Sequence, residues 1–194
     1  ETNYSCEFYN CEVYGEFKNC DLSYAIFENC LIRNTFFEIT MMKSTILNTC
    51  ELNKIKISDC DLSGFKTHKC YIVDFEFDDK YKTKLDEKTF FDKLVEIKKD
   101  RGEIEGIYMT YETIADKFKE NSLNNNFVEY YYLCKKEEYK VLDPWPKFMS
   151  FLNNVTCGYG ERPMNSLLFG IVQIILFALI YLFVGVDIND EFVV

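Results

Sequence analysis

Residues 15–79 read GEFKN-CDLSY-AIFEN-CLIRN-TFFEI-TMMKS-TILNT-CELNK-IKISD-CDLSG-FKTHK-CYIVD-FEFDD, a pattern that repeats every five residues. The third residue of a group is apolar in twelve of the thirteen groups. These twelve residues are Phe17, Leu22, Phe27, Ile32, Phe37, Met42, Leu47, Leu52, Ile57, Leu62, Ile72 and Phe77. The first residue of most groups is small or of medium size, and most often cysteine. Two earlier groups, CEFYN and CEVY, continue the pattern upstream with one residue deleted before Gly15.

This five-residue period is not the period of a single helix or strand. An α-helix repeats every 3.6 residues and a β-strand every 2 residues. A fixed short repeat is typical of a solenoid, in which each unit contacts only its neighbours in the stack. The sequence therefore predicts a coiled solenoid, with the twelve apolar residues forming its core.

The groups CDLSY at residues 20–24 and CDLSG at residues 60–64 resemble the pentapeptide-repeat family. In that family a small residue is followed by a polar residue, a central Leu or Phe and two further polar positions. The resemblance implies that residues 1–79 form a right-handed quadrilateral β-helix with four groups per coil. The central apolar side chain of each group would then point inward, and fifteen groups would give slightly fewer than four coils.

Seven of the nine cysteines lie in the repeat, and we expect them to serve as small packing residues. Cys30, Cys50 and Cys70 are twenty residues apart and should stack on one face of the β-helix. Neighbouring coils are close enough for a disulfide, but buried free thiols are favoured. Metal-ligand spacing is missing and His68 falls on an outward position, so we expect neither a metal ion nor a cofactor. Many cysteines without an N-terminal signal-like segment favour the reducing cytoplasm.

The negative charge is concentrated in the repeat. The chain has a formal net charge of −10, and residues 1–79 contain fourteen acidic and seven basic residues. An acidic surface repels nucleic acid and suits a basic protein partner, although solubility alone explains polar outward positions. At outward carboxylates such as Asp21, Glu51 and Asp61 we expect no shift in pKa, which argues against a catalytic role.

Residues 80–143 are predicted to form a helical hairpin or cap region. An amphipathic helix is expected over residues 84–101, where Phe90, Phe91, Leu94, Val95 and Ile97 share one side. A helix with Ile107, Tyr111, Ile114 and Phe118 on one face should follow, and a tyrosine-rich helix should run from about residue 127 to residue 142. These last two helices are expected to pack as a hairpin, which commonly serves as an adaptor or as a cap on the end of a solenoid.

The C-terminal part of the sequence predicts a membrane anchor. Residues 144–163 form a juxtamembrane linker with a short amphipathic helix, and residues 164–186 form an uncharged segment long enough to span a bilayer. Residues 187–194 form a short tail. Lys147 and Arg162 precede the span and acidic residues follow it, which favours a cytoplasmic N-terminal part at the cell membrane.

Residues 156–160 match the T-x-G-Y-G pattern of potassium-channel selectivity filters. A filter needs a membrane helix on both sides, and the charged residues 80–142 cannot supply the first one. A turn before the span is therefore favoured, formed by six consecutive residues. These are Gly158, Tyr159, Gly160, Glu161, Arg162 and Pro163.

This turn and the following apolar segment resemble bacterial pentapeptide-repeat proteins that carry a two-helix potassium-channel-like pore. The resemblance implies that the chain is the cytosolic and first-span part of such a protein. Motifs for nucleotide, metal or nucleophile chemistry are missing from the sequence, so we expect no enzyme and no small-molecule substrate. Two functions remain: a membrane-tethered scaffold that binds a protein partner or itself, or an acidic mimic of DNA that protects DNA gyrase.

Overall fold

The computed structural model describes residues 5–90, 92–184, 186–188 and 191–193. The chain divides into two compact units, Glu1–Val141 and Leu142–Val194. Some sequence-based predictions lie outside the described residues. They concern residues 1–4 of the β-helix, Phe91 of the helix predicted over residues 84–101, residue 185 of the predicted span, and residues 189, 190 and 194 of the tail.

The first unit begins with a β-solenoid of about four coils, as the repeat predicts. Its two parallel sheets have the strand orders β1-β3-β5-β7 and β2-β4-β6-β8. The strands are β1 (Glu7–Tyr9), β2 (Glu12–Lys18), β3 (Ile26–Glu28), β4 (Leu31–Glu38), β5 (Ile46–Asn48), β6 (Glu51–Ser58), β7 (Lys66–His68) and β8 (Tyr71–Phe77). Phe27 pairs with Leu47 in the next coil, a separation of twenty residues, so each coil contains four five-residue groups.

The first coil is one residue shorter than the others. Glu12 pairs with Leu31, nineteen residues away, whereas Gly15 pairs with Thr35, twenty residues away. The register therefore changes between Val13 and Gly15, which confirms the deletion before Gly15.

The corners of the solenoid explain why the period is five. From residue 19 to residue 74 every fifth residue has a positive φ, between 47° and 72°. Asparagine tolerates this left-handed conformation, and it occupies the corners at Asn19, Asn29 and Asn34. Ile39 and Thr49 are β-branched residues in the same conformation, with φ of 50° and 53°. The left-handed corner turns the chain from one face of the solenoid to the next, so that the third residue of each group points inward.

The inward residues form a continuous core. Ten of the twelve are buried, and Phe17 and Phe77 near the two ends of the stack are partly buried. Phe8 stacks on Phe27 in the next coil, with ring centroids 4.5 Å apart and planes inclined by 6°. Equivalent residues of successive coils pack on one another in this way, so the solenoid forms its own hydrophobic core.

Cysteine and threonine at the first position of a group satisfy carbonyl groups of the preceding coil. The Sγ atoms of Cys30, Cys50 and Cys70 donate to carbonyl oxygens 22 or 23 residues earlier, at 3.2, 3.3 and 3.4 Å. The Thr45 hydroxyl donates in the same way to the Leu22 carbonyl, at 2.8 Å. The three cysteines therefore occupy equivalent positions in successive coils, and each of the nine cysteines carries a free thiol.

The prediction of a helix over residues 84–101 is wrong. This segment continues the path of the solenoid as an irregular further coil, with Lys84 bridged to Asp61. The backbone N–H groups of Phe90 and Val95 donate to the carbonyls of Phe65 and Cys70, at 2.8 and 2.9 Å. The last regular coil has unpaired backbone groups at its edge, and pairing with them replaces the hydrogen bonds that a helix would make.

Two helices that are joined by a short turn complete the first unit. They are α1 (Arg101–Glu120) and α2 (Asn124–Val141), which pack on each other, and α1 also packs on β8. Phe90 joins the helices to the solenoid, since its ring lies 5.5 Å from Phe65 and 6.4 Å from Phe118. The Tyr130 hydroxyl donates to the Phe90 carbonyl at 2.7 Å. The predicted hairpin thus covers the C-terminal end of the stack.

The second unit contains α3 (Pro144–Cys157), a 3₁₀ turn (Gly158–Gly160), α4 (Pro163–Val184), β9 (Val186–Ile188) and β10 (Glu191–Val193). β9 and β10 pair as an antiparallel two-stranded ladder. The long helix ends at Val184, two residues before the end of the predicted span, because Val186 is already paired with Val193.

Candidate membrane-binding site

Helix α4 has the composition and exposure of a membrane-spanning segment. Among the residues that the structure describes, one helix is long and apolar enough to cross a bilayer, Pro163–Phe183, with a mean hydropathy of 2.5. Its 21 residues correspond to about 31 Å of helix, close to the thickness of the hydrocarbon core. None of its apolar window is buried against protein. An apolar surface of this extent is not stable in water and needs a lipid or protein environment.

Helix α3 carries a second band of exposed apolar side chains. Trp145, Phe148, Leu152 and Val155 follow one another at three- or four-residue spacing and are all exposed. The rings of Trp145 and Phe148 contact each other with centroids 6.1 Å apart. Lys147, Asn153 and Asn154 lie on the other side of the helix. The predicted short amphipathic helix is therefore present, and its amphipathic pattern suits a membrane surface.

The turn between α3 and α4 is built by three successive residues with positive φ. Gly158, Tyr159 and Gly160 have φ of 55°, 61° and 88°. A Cβ atom on Gly158 would lie 2.8 Å from Arg162 Cβ, so both the backbone conformation and the space require glycine there. The Arg162 N–H then donates to the Cys157 carbonyl at 3.2 Å, and Pro163 begins α4.

Side chains also hold α3 and α4 together across this turn. The hydroxyl groups of Tyr159 and Ser150 lie 3.0 Å apart in a hydrogen bond. The Asn165 side-chain amide donates to the Asn154 carbonyl at 3.5 Å. Tyr159 thus ties the turn to the middle of α3, and the six turn residues form a structural connection between the two apolar helices.

The T-x-G-Y-G residues do not adopt an extended filter-like backbone. Thr156 and Cys157 are the last residues of α3, and the Thr156 hydroxyl donates to the Leu152 carbonyl at 2.7 Å within the helix. The following three residues form the left-handed turn. A selectivity filter would require successive carbonyl oxygens aimed at an ion path, whereas these residues end α3 and form the turn before α4.

The outward carboxylates of the solenoid are not all unperturbed, and the expectation for Asp21 and Asp61 is wrong. Hydrogen bonds from the side chain of Ser23 and from its backbone N–H, the latter at 2.9 Å, lower the pKa of Asp21. Burial alone would raise the pKa of Asp61, but hydrogen bonds from the side chain and backbone of Ser63 and the charge of Lys43 outweigh it and lower the pKa. These carboxylates stabilise the turns of the D-L-S groups.

One group of functional interest was missed by the sequence analysis. Asp100 and Glu103 lie at the start of α1, where Asp100 accepts a hydrogen bond from the Glu103 N–H at 2.8 Å. The D-x-x-E spacing at residues 100–103 is a helix N-terminal signal that would have located the start of α1. Within the described part of the chain, no group of three or more His, Cys, Asp and Glu side chains is arranged to hold a metal ion.

Comparison with protein-family models finds no match, and no curated protein matches the chain.

Proposed function

We propose that this chain is a membrane-tethered scaffold in which α4 spans the bilayer and the first unit binds a protein partner. The observation that carries the proposal is the exposed apolar surface of α4, whose window of mean hydropathy 2.5 has none of its residues buried. Transfer of these side chains into lipid would remove the largest unfavourable surface of the chain from water. The solenoid and its helical cap would then be held at the membrane as a folded interaction module.

The charges that flank α4 support a cytoplasmic first unit. Lys147 and Arg162 precede the helix, whereas Asp187, Asp190 and Glu191 follow it. Basic residues close to a span favour the cytoplasmic side. This orientation would also keep the free thiols of the solenoid in a reducing compartment.

Fractionation of cells that express the full chain tests the tether. We expect the full chain to sediment with membranes and to remain there after extraction with alkaline carbonate, which releases peripheral proteins. A chain that ends at Val141 lacks α3 and α4 and serves as the control, since we expect it in the soluble fraction. Recovery of the full chain from water as a detergent-free monomer would contradict the proposal.

We further propose that the chain is a pentapeptide-repeat protein and forms the cytosolic and first-span part of a potassium-channel-like protein of the bacterial cell membrane. The five-residue repeat supports the family, and the turn at residues 158–163 followed by α4 supports the channel-like architecture. The gene sequence beyond the codon of Val194 tests this proposal. A second apolar span preceded by another T-x-G-Y-G sequence is expected there, and a stop codon or a soluble domain would contradict it.

The excess of acidic residues in the repeat is the observation behind the alternative, a mimic of DNA that protects gyrase. Fourteen acidic residues stand against seven basic ones in residues 1–79. A supercoiling assay with purified gyrase and the Glu1–Val141 unit separates the two functions. The scaffold proposal expects supercoiling to be unaffected, whereas protection of gyrase from an inhibitor would favour the alternative.

A further inference from the structure

Gln173 is a polar residue at the middle of the apolar helix α4. Helix α4 runs from Pro163 to Val184, so Gln173 would lie about 16 Å from either end of a spanning helix, near the centre of the hydrocarbon core. The side chains one helical turn away contain neither a donor nor an acceptor. They belong to Phe169, Gly170, Leu176 and Phe177.

The side-chain amide of Gln173 has two N–H donors and an acceptor oxygen. The described part of the chain supplies no hydrogen-bond partner to this amide. Lipid hydrocarbon cannot supply one either, and an amide without a partner is unfavourable in an apolar medium. A donor and an acceptor from outside the chain, at the same depth in the bilayer, would therefore stabilise the spanning helix.

Gly170 lies one turn before Gln173, and the fold of the chain does not explain why it is a glycine. Its backbone is helical, without the positive φ of Gly158. A Cβ atom on Gly170 would meet nothing within 4 Å, whereas one on Gly158 would lie 2.8 Å from Arg162 Cβ. Because glycine is less favourable than alanine inside a helix, the open space above Gly170 suits the close approach of a second helix.

Ser166, Gly170 and Gln173 lie on one face of α4, because four and three residues separate them. Two small residues four positions apart are a common contact between membrane helices, since they let the two backbones come close together. Helix α3 leaves this face open: Ser166 is exposed, and the space above Gly170 is empty of protein atoms.

We propose that this face of α4 pairs with the same face of α4 in a second copy of the chain. Copies that insert into a membrane in the same orientation pair in parallel, so their Gln173 residues lie at the same depth. Each amide then donates to the oxygen of the other, and Gly170 lets the backbones approach closely enough for this contact. An amide is both donor and acceptor, which makes an identical residue a complete partner. The inference rests on the proposed span of α4 and identifies a second copy as its partner.

Förster resonance energy transfer between full chains in phosphatidylcholine vesicles tests the pairing. Chains labelled at the N terminus with a donor dye or an acceptor dye are mixed and diluted with lipid over a series of protein-to-lipid ratios. We expect energy transfer above that of randomly distributed helices, with a saturable dependence on the protein-to-lipid ratio. An excess of the unlabelled chain should compete and abolish the transfer.

Substitutions in α4 locate the contact. Gln173→Leu removes the amide and should weaken the association about three- to thirtyfold, the range for a hydrogen bond between membrane helices. Gln173→Asn retains an amide and should retain part of the association. Gly170→Ile fills the space for the second backbone and should weaken the association about tenfold or more. Ala178→Ile is the matched control, because it enlarges a small residue outside the shared face and should associate as the unmodified chain does.

Several results would overturn the proposal. They are transfer no greater than that of randomly distributed helices, unchanged association in both Gln173→Leu and Gly170→Ile, and equal losses in Gly170→Ile and Ala178→Ile. The first result would assign the face to a helix of a different protein. Carbonate extraction of the same chains is measured in parallel. Chains that resist extraction without associating contradict the pairing alone, whereas chains that are extracted contradict the tether as well.

Discussion

Lys117 Nζ lies 2.7 Å from Asp79 Oδ2, in an ion pair whose two side chains are only 8% and 7% exposed. Asp79 follows the last strand of the solenoid, and Lys117 lies in the last turn of α1. The same carboxylate accepts hydrogen bonds from the backbone N–H groups of Asp59 and Thr83, at 2.8 and 2.7 Å. The pair therefore fixes the helical cap to the point at which the regular coils end.

The first prediction is that Lys117→Met destabilises the first unit strongly. Removal of one partner leaves the Asp79 charge buried without its counter-ion, which typically costs 3–5 kcal/mol, and the remaining hydrogen bonds place our expectation at about 3 kcal/mol. Urea unfolding of the Glu1–Val141 unit, followed by circular dichroism, measures the change. Lys56→Met is the control, because its ion pair with Asp78 is exposed to solvent and should contribute little to stability. Equal effects of the two substitutions would contradict this account.

The second prediction concerns acid. Burial opposes the charge of Asp79, but hydrogen bonds from Lys117 and Thr83 outweigh it and lower the pKa of Asp79 below its usual value. A lowered pKa in the folded state means that the stabilisation is present above the unfolded pKa of about 3.9 and is lost as the pH falls through the folded pKa.

Unfolding of the Glu1–Val141 unit in urea over a series of pH values measures this dependence. The free energy of unfolding should decrease below about pH 5, and it should decrease less in Asp79→Asn, which has no carboxylate to protonate at this position. Parallel pH profiles for the two proteins would show that Asp79 does not carry the dependence.

The third prediction concerns the strained corner at Ile39. Its φ is 50° and its side chain is 51% exposed, so little packing compensates for an unfavourable backbone conformation. Ile39→Asn should stabilise the solenoid by about 1 kcal/mol, because asparagine tolerates the left-handed region better than a β-branched residue does. The reverse substitution at an equivalent exposed corner, Asn34→Ile, should destabilise it by a similar amount. Thermal unfolding of both variants measures the change in stability. If both substitutions changed the stability in the same direction, backbone strain at Ile39 would not explain it.

The repeat made much of the solenoid predictable from the sequence. The apolar residue at the third position of each group, as in Leu52 and Ile57, identifies the core because its spacing matches the left-handed corners. The path of residues 84–100 was not predictable in this way. Phe90 and Leu94 have the spacing of a helix face, but the backbone N–H groups of Phe90 and Val95 pair with an edge that exists only once the coils are stacked.

The apolar helices of the second unit were predictable for a different reason. The length and lack of charge of α4 and the spacing of Trp145 and Phe148 in α3 are properties of single segments. Tyr71 of β8, Ile97 of the irregular coil and Glu103 of α1 line one cleft, although these three segments are distant from one another in the sequence. The D-x-x-E spacing at residues 100–103 marks the start of α1, but it cannot indicate that Tyr71 lies close to Glu103 in the folded chain.

The fourth prediction separates buried thiols from exposed ones. Burial raises the pKa of Cys60 to about 11 and that of Cys134 to about 12. Because the thiolate is the reactive form, both should resist iodoacetamide at neutral pH, whereas the exposed Cys6 should react readily. Mass spectrometry of peptides from folded and urea-unfolded protein measures the labelling of each site. Rapid labelling of Cys60 in the folded protein would contradict its place in the core.

The last prediction concerns the depth of α4 in the bilayer. Arginine near the centre of a span costs about 2.5–3.5 kcal/mol in insertion assays, whereas arginine near the end extends to the membrane surface at lower cost. The double variant Ile174→Arg/Phe177→Arg places two charges near the middle of α4, and Met164→Arg/Phe183→Arg places the same two charges near its ends. Both variants make the helix less apolar, so they differ mainly in how deep the two arginines would lie in the bilayer.

Insertion of the full chain into microsomes, with a glycosylation site added after Val194, measures the fraction that spans. We expect the central variant to lose most of its insertion and the terminal variant to retain it. A helix that lies along the membrane surface has no central depth, so equal losses in the two variants would exclude a span. Retained sedimentation with membranes in that case would assign the tether to the exposed apolar band of α3, with Trp145 and Phe148 at the surface.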